Sequence, residues 1–269
     1  MNTIISSKSN PAIKRAAALK EKKGRREYGA FLAEGEKLAA ECLRSEMCVL
    51  RAYFSENYAG KRAEEIFALL EKRGLGEDKI SYLSESAFSF LSEEKTPQGV
   101  ILEVQISANT PRAPEDDCLI LDGVADPGNL GTIIRTANAA GYGEIYLADC
   151  ADAYSPKCVR SSMSGIFFTK LYKISREELP ALFENVPVIA ADMGGENVFT
   201  FRAEEVCGAA GKNGKIALAI GNEANGLSKE VKKLAAHTVA IPMRGTQESL
   251  NAGVAAAVCM YALRREKFL

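Results

Sequence analysis

From Leu250 to Leu263 the chain offers water almost nothing: across fourteen residues the one strongly polar side chain is Asn251. A helix that is apolar all round is buried all round. A run this short cannot cross a bilayer. The predicted helix therefore belongs in a core, in a subunit interface, or in both. Its small residues Ala252, Gly253, Ala255, Ala256 and Ala257 permit close approach of another backbone. At its mouth stand Ser249, a candidate N-cap, and Asn251. A buried asparagine without partners costs about 1–3 kcal/mol, so Asn251 points to a ligand or a catalytic side chain that satisfies it.

The rest of the chain alternates helix and strand signals, which is an α/β pattern. Residues 1–106 read as one smaller α/β domain. "PAIKRAAALKEK" is a helix with Pro11 at its first position, "YGAFLAEG", "CVLRAYFS", "KISYL" and "QGVILEV" are strands, and "EKLAAECLRS" and "KRAEEIFALLEKRG" are helices. Residues 107–117, "SANTPRAPEDD", read as a linker. In residues 118–269 the strands "CLILD", "EIYLA", "PVIAA", "KIALAI" and "TVAIP" are continuously apolar. Such runs suit a parallel sheet covered on both faces, with ligands at the carboxyl ends of its strands.

Composition narrows the class. The chain has 269 residues, 47% hydrophobic and 26% charged, as a globular protein does. No apolar run is long enough to span a membrane. "MNTIISSKSNPAIKR" lacks a signal-peptide core, so the expected location is cytoplasmic. Seven cysteines without a C-x-x-C pair, and the single histidine His237, argue against a metal site and for free thiols in a reducing compartment. His237 has no visible partner for catalysis. Net charge is −1, yet residues 1–30 hold eight basic side chains against two carboxylates, a net of +6. This basic arm, with Lys14, Arg15, Lys22, Lys23, Arg25 and Arg26, is a candidate phosphate grip or an ordinary solvated helix face.

Three loops carry candidate chemistry. "LDGVADPGNLGTIIRTANAAGYG" passes from strand through a Gly-rich turn into a helix, the layout of an anion or nucleotide site, but lacks the G-x-G-x-x-G fingerprint. Asn129 is a candidate cap of that helix. Arg135 lies off its apolar arc, as a surface arginine or as a phosphate or ribose contact. "IGNEANGLS" places Glu223 in a turn at a strand end, with Ser228 as a helix cap. The third loop is the mouth of the apolar helix.

In this order the loops "NLGTIIRTA" (129–137), "GNEANGLS" (221–228) and "IPMRGTQESLNAGVA" (241–255) resemble the SpoU/TrmH family of RNA ribose 2′-O-methyltransferases, in the SPOUT class. The front domain, with "FLAEGEKLAAECL" and "TPQGVILEV", looks like the substrate-binding domain often joined to it, which is similar to small ribosomal proteins that bind bent RNA. The resemblance implies a SPOUT domain whose C-terminal segment is threaded into a trefoil knot, and a homodimer through that domain with the last helix in the interface. It implies S-adenosylmethionine at Gly221, Asn222, Ile241, Met243, Ser249 and Leu250, with Met193 and Gly194 contributing. It implies Arg135, Asn129, Glu223, Ser249 and Asn251 as catalytic residues, and RNA as the partner. Ribosomal RNA is favoured by the separate front domain. A tRNA methyltransferase, a non-catalytic RNA-binding protein and an unrelated nucleotide-binding enzyme are the alternatives. The chain departs from many relatives in carrying Ala252 and Gly253 after Asn251.

Overall fold

The computed structural model describes residues 3–207 and 214–269. The chain divides into two compact units, Met1–Ala108 with Tyr154–Phe167, and Asn109–Ala153 with Phe168–Leu269. The segment Tyr154–Phe167 thus packs in the first unit, although its sequence lies within 118–269. Among the described residues no helix is long and apolar enough to cross a membrane.

In the first unit the elements are β1 (Ile4–Ile5), α1 (Pro11–Ala18), α2 (Lys22–Tyr28), β2 (Ala30–Glu34), α3 (Glu36–Arg44), β3 (Val49–Ser55), α4 (Ala63–Lys72), β4 (Ile80–Leu83), α5 (Glu85–Leu91) and β5 (Val100–Gln105). The sheet order is β1-β4-β3-β5-β2. β1, β4 and β3 run parallel, and β5 is antiparallel to both β3 and β2. Pro11 occupies the first turn of α1, as its sequence predicts, and Asn10 caps the helix by accepting from the Ala12 amide at 2.9 Å. The core joins Ile13, Ala16 and Leu19 to Leu32, Tyr53, Phe88 and Ile101.

The second unit holds β6 (Cys118–Asp122), α6 (Pro127–Ala140), β7 (Glu144–Ala148), and, after α7 (Pro156–Ser161) of the first unit, β8 (Lys170–Ile174), α8 (Leu179–Leu182), β9 (Val188–Asn197), α9 (Ala203–Val206), β10 (Ala217–Gly221), α10 (Lys229–Leu234), β11 (His237–Ala240) and α11 (Ala252–Leu263). Its six strands are all parallel, in the order β11-β9-β10-β6-β7-β8. β6 and β7 are buried along their whole length, which is why their sequences are unbroken apolar runs. β8 is not marked by such a run because Lys170 and Lys173 point outward from it. His237 packs edge-to-face on Phe201, with ring centroids 5.6 Å apart.

α11 packs on α6, but it is not buried all round in the single chain: Val254 is 49% and Tyr261 42% exposed, on one stripe. Directly after α11, Arg264 is fully buried. It donates Nε to Asp117 Oδ2 at 2.8 Å and Nη2 to Asp117 Oδ1 at 2.5 Å, and Nη2 also reaches the Gly214 carbonyl. Lys267 adds a 2.7 Å bond to Asp117, and the Ile216 amide a 2.9 Å one. The last residue of the predicted linker is therefore a buried anchor for the C-terminus.

Removing one partner of a buried ion pair strands the other in low dielectric. Arg264→Met is expected to lower the unfolding free energy by about 3–5 kcal/mol, read from urea unfolding. A change below about 1 kcal/mol would place the anchor elsewhere.

Candidate functional site

Because every strand of the second sheet points the same way, the loops leaving β6, β10 and β11 emerge along one edge. β9 adds a fourth element there. Its register against β11 jumps, Ala190 pairing with Thr238 and Glu196 with Val239, so residues 191–195 are thrown out as a bulge. That bulge carries Met193, 76% exposed, and Gly194 at φ +83°, a conformation that favours glycine.

The cap of α6 is Asp126, not Asn129: Asp126 Oδ1 accepts from the Asn129 amide at 2.9 Å, with Pro127 at the first helical position. Asn129 is thereby released from capping. Its Nδ2 donates to Glu223 Oε1 at 2.8 Å, and its Oδ1 accepts from Asn251 Nδ2 at 2.8 Å. Asn251 lies at the N-cap of α11 rather than inside it, and accepts from the Gly253 and Val254 amides at 2.9 and 3.3 Å. So Asn251 is exposed and satisfied, and Ser249 is not the cap. A Cβ at Gly253 would sit 3.1 Å from Thr132 Cγ2, so its glycine lets α11 approach α6 closely enough for the asparagines to meet. Three loops distant in sequence are joined by a single side-chain chain, Asn251–Asn129–Glu223.

The β10 loop is shaped from within. Asn222 and Gly226 exchange backbone hydrogen bonds at 2.9 Å. Asn222 Oδ1 accepts from the Ala224 and Asn225 amides, and its Nδ2 donates to the Gly123 carbonyl at 2.8 Å. A Cβ at Gly221 would fall 2.3 Å from the Gly226 carbonyl carbon, so no other residue fits. Partial burial pushes the Glu223 pKa up, but hydrogen bonds from Asn129 and from backbone amides outweigh it and hold the carboxyl below its usual range.

Residues 241–250 form an open strip. Among the described residues none of them makes a hydrogen bond, Met243 and Leu250 expose apolar surface, Ile241 is half-buried, and Ser249 is exposed. Free main-chain donors and acceptors beside thioether and aliphatic surface fit an uncharged heteroaromatic ring and a methionine-like chain. Arg135 lies six positions after Asn129, about 9 Å along α6 and roughly 120° around it. It is exposed and has no ion-pair partner among the described residues. It therefore does not join the asparagine chain within one protomer.

In the first unit Lys14, Lys22, Lys23 and Arg26 are exposed. Arg15 is held by the buried carboxylate of Glu103 at 2.8 Å and stacks on Tyr28. Arg25 is 4% exposed and donates to the Leu19 and Lys20 carbonyls at 2.7 Å, a structural role in place of the expected surface one. Sequence reasoning also passed over Asp126 and Asp122. The first is signalled by Asp-Pro at a helix start, the second only by a carboxylate ending an apolar strand. Among the described residues no group of three or more His, Cys, Asp or Glu is placed to hold a metal.

Residues 117–261 match the SpoU rRNA Methylase family, and residues 10–102 match the MRM3-like substrate binding domain. The chain is 33% identical to the 23S rRNA (guanosine(2553)-2′-O)-methyltransferase RlmP of Bacillus subtilis, over 97% of this chain and 98% of that protein. The crystal structure of the AdoMet-bound rRNA methyltransferase from Sinorhizobium meliloti is similar with a TM-score of 0.84 at 28% identity, covering 98% of both chains. The SpoU methyltransferase AviRb from Streptomyces viridochromogenes in complex with AdoMet gives a TM-score of 0.80 at 26% identity, over 96% of this chain and 98% of that one.

Two outcomes check the site's geometry. Asn129→Ala removes the one side-chain donor among those that depress Glu223, so a carbon-13 NMR titration should show that carboxyl moving up. By the same linkage, the stability that Glu223 contributes is full above about pH 4.5 and is lost as pH falls through its lower folded value. An unmoved titration would mean that Asn129 does not bond it. Asn251→Ala should cost about 1 kcal/mol as a lost cap, and Asn251→Asp, which keeps the acceptor, should restore most of it.

Proposed function

The chain belongs to the SpoU rRNA Methylase family, and from that premise we propose that it methylates a ribose 2′-hydroxyl in 23S ribosomal RNA, with S-adenosylmethionine as donor. The observation that carries the reading is the Asn251–Asn129–Glu223 chain, which gathers the three motif loops beside the open strip 241–250. Ribosomal rather than transfer RNA is supported by the relative named above, which spans nearly the whole of both chains.

S-adenosylmethionine, when bound, supplies an electrophilic methyl carbon on a sulfonium. The residues that would hold it are Gly221, Asn222, Ile241, Met243, Ser249 and Leu250, with Met193 and Gly194 from the β9 bulge. Their chemistry supports this: hydrogen bonding there comes largely from uncharged main chain, and none of the eight side chains is ionisable. Asn129, Glu223, Ser249 and Asn251 orient the ribose, so that much of the acceleration comes from placing the hydroxyl in near-attack geometry.

Arg135 binds the phosphate next to the target ribose and stabilises the developing alkoxide. Guanidinium remains protonated at a pKa above about 12, so a phosphate oxygen or water takes the proton. Residues 1–106 serve as the RNA substrate-binding domain, with Lys14, Lys22, Lys23 and Arg26 as phosphate contacts, residues 107–117 as the connection, and 118–269 as the knotted methyltransferase domain. The exposed stripe of Val254 and Tyr261 on α11 supports a homodimer through that domain.

Transfer of a labelled methyl group to a 23S ribosomal RNA transcript tests the reading. Arg135→Ala should keep calorimetric affinity for S-adenosylmethionine while turnover falls by about 10²–10³. Unchanged turnover would remove Arg135 from the mechanism. Retained activity in Arg135→Lys would reduce its role to charge alone.

A further inference from the structure

Asp122 has no task in the reaction as described, yet it is 1% exposed at the last position of β6, on the edge where the site is built. Each of its carboxylate oxygens faces a donor. Oδ1 accepts from Arg176 Nε at 2.7 Å, and Oδ2 accepts from the backbone N–H of Ser228 at 2.6 Å. Arg176 also pairs with Asp149. Its guanidinium pKa is raised, first by the bond to Asp122.

The placement of these bonds matters more than their number. Gly221, where the β10 loop departs, is the register partner of Asp122 in the sheet. Ser228, where the loop returns, gives its N–H to the Asp122 side chain and caps α10 through its own hydroxyl. Between them, Asn222 donates to the carbonyl of Gly123, the residue after Asp122. Two consecutive residues of β6's end thus hold both ends and one interior point of the loop that carries Glu223.

We infer that Asp122 is a positioning residue for residues 222–227: its carboxylate fixes where the loop closes, and through the loop it sets Glu223 and the main chain beside Gly221. This rests on the reading that the loop contributes to the S-adenosylmethionine site, but the clamp itself is a property of the chain alone. The carboxylate is required because both facing groups are donors. An asparagine offers one acceptor and one donor, so Asp122→Asn turns an NH2 against either the guanidinium or the Ser228 N–H. With Arg176 also removed, the amide is free to present its oxygen to Ser228.

The test uses the full chain without cofactor, followed by amide hydrogen exchange, and then calorimetry with S-adenosylmethionine. Asp122→Asn should speed exchange at Ser228, Ala224 and Asn225 by about 10-fold or more and weaken S-adenosylmethionine binding by a similar factor. Arg176→Met alone should do little, and the double variant should regain most of the protection and affinity. Ser228→Pro reaches the same bond from the other side, since Ser228 already sits at φ −64°, which proline adopts. It should loosen the loop more than Ser228→Ala, which keeps the N–H. Unchanged exchange in Asp122→Asn, a double variant as loose as the single, or equal effects of the two Ser228 variants would overturn the inference. Loosening and rescue as expected, in a protein whose wild type does not bind S-adenosylmethionine, would uphold the clamp and overturn the functional reading.

Discussion

The last helix is tied down at both ends, and the candidate site exists because of it. At the far end Arg264 closes a buried bidentate pair with Asp117, at the foot of β6. At the near end Asn251 caps α11 and reaches Asn129 on α6. Free of either tie, an apolar helix on an α/β sheet has several ways to slide, because dispersion and area burial are not directional. The polar bonds choose one of them. The foot of β6 and the loop beyond its head are thus linked through a helix at the other end of the sequence.

The same economy governs the site's electrostatics. The eight proposed cofactor residues are all uncharged, and the charged members, Glu223 and Arg135, are proposed to act on the RNA. A sulfonium donor already carries positive charge, and a depressed, ionised Glu223 beside the loops is compatible with it. A phosphate-binding arginine, by contrast, works best where it is free to meet its ligand. That is how Arg135 stands: exposed, with no carboxylate paired to it among the described residues. The buried arginines Arg25 and Arg264 show the opposite arrangement, each spent on carbonyls or a carboxylate inside the fold.

Much of this was legible in the sequence, for physical reasons. β6, β7 and β10 announce themselves because burial on both faces demands unbroken apolar runs, and β9 and β11 carry shorter apolar runs. β8 does not, since its lysines face outward. The three motif loops stand out because glycine, asparagine and proline cluster at strand ends. What the pattern could not give is the use to which each asparagine is put. Asp-Pro at 126–127 marks Asp126 as the cap of α6, but Asn129 and Asn251 both have the residue type of a cap, and only the fold shows that Asn251 caps α11 while Asn129 bridges to Glu223. The sequence of α11 leaves core and subunit interface both open for a related reason: hydropathy reports that a face avoids water, not whether its cover belongs to the same chain. Arg15 and Arg25 were equally opaque, because a basic run does not reveal which members have a carboxylate or carbonyl waiting in the core.

The central claim is that this geometry delivers a methyl group to a ribose of the large ribosomal RNA. Mapping 2′-O-methylated nucleotides in ribosomal and transfer RNA, from cells with and without this protein, tests it most directly. The account predicts that one modified ribose disappears from 23S ribosomal RNA and that transfer RNA is unaltered. An intact 23S pattern, with a methyl group missing from transfer RNA or from neither, would contradict it.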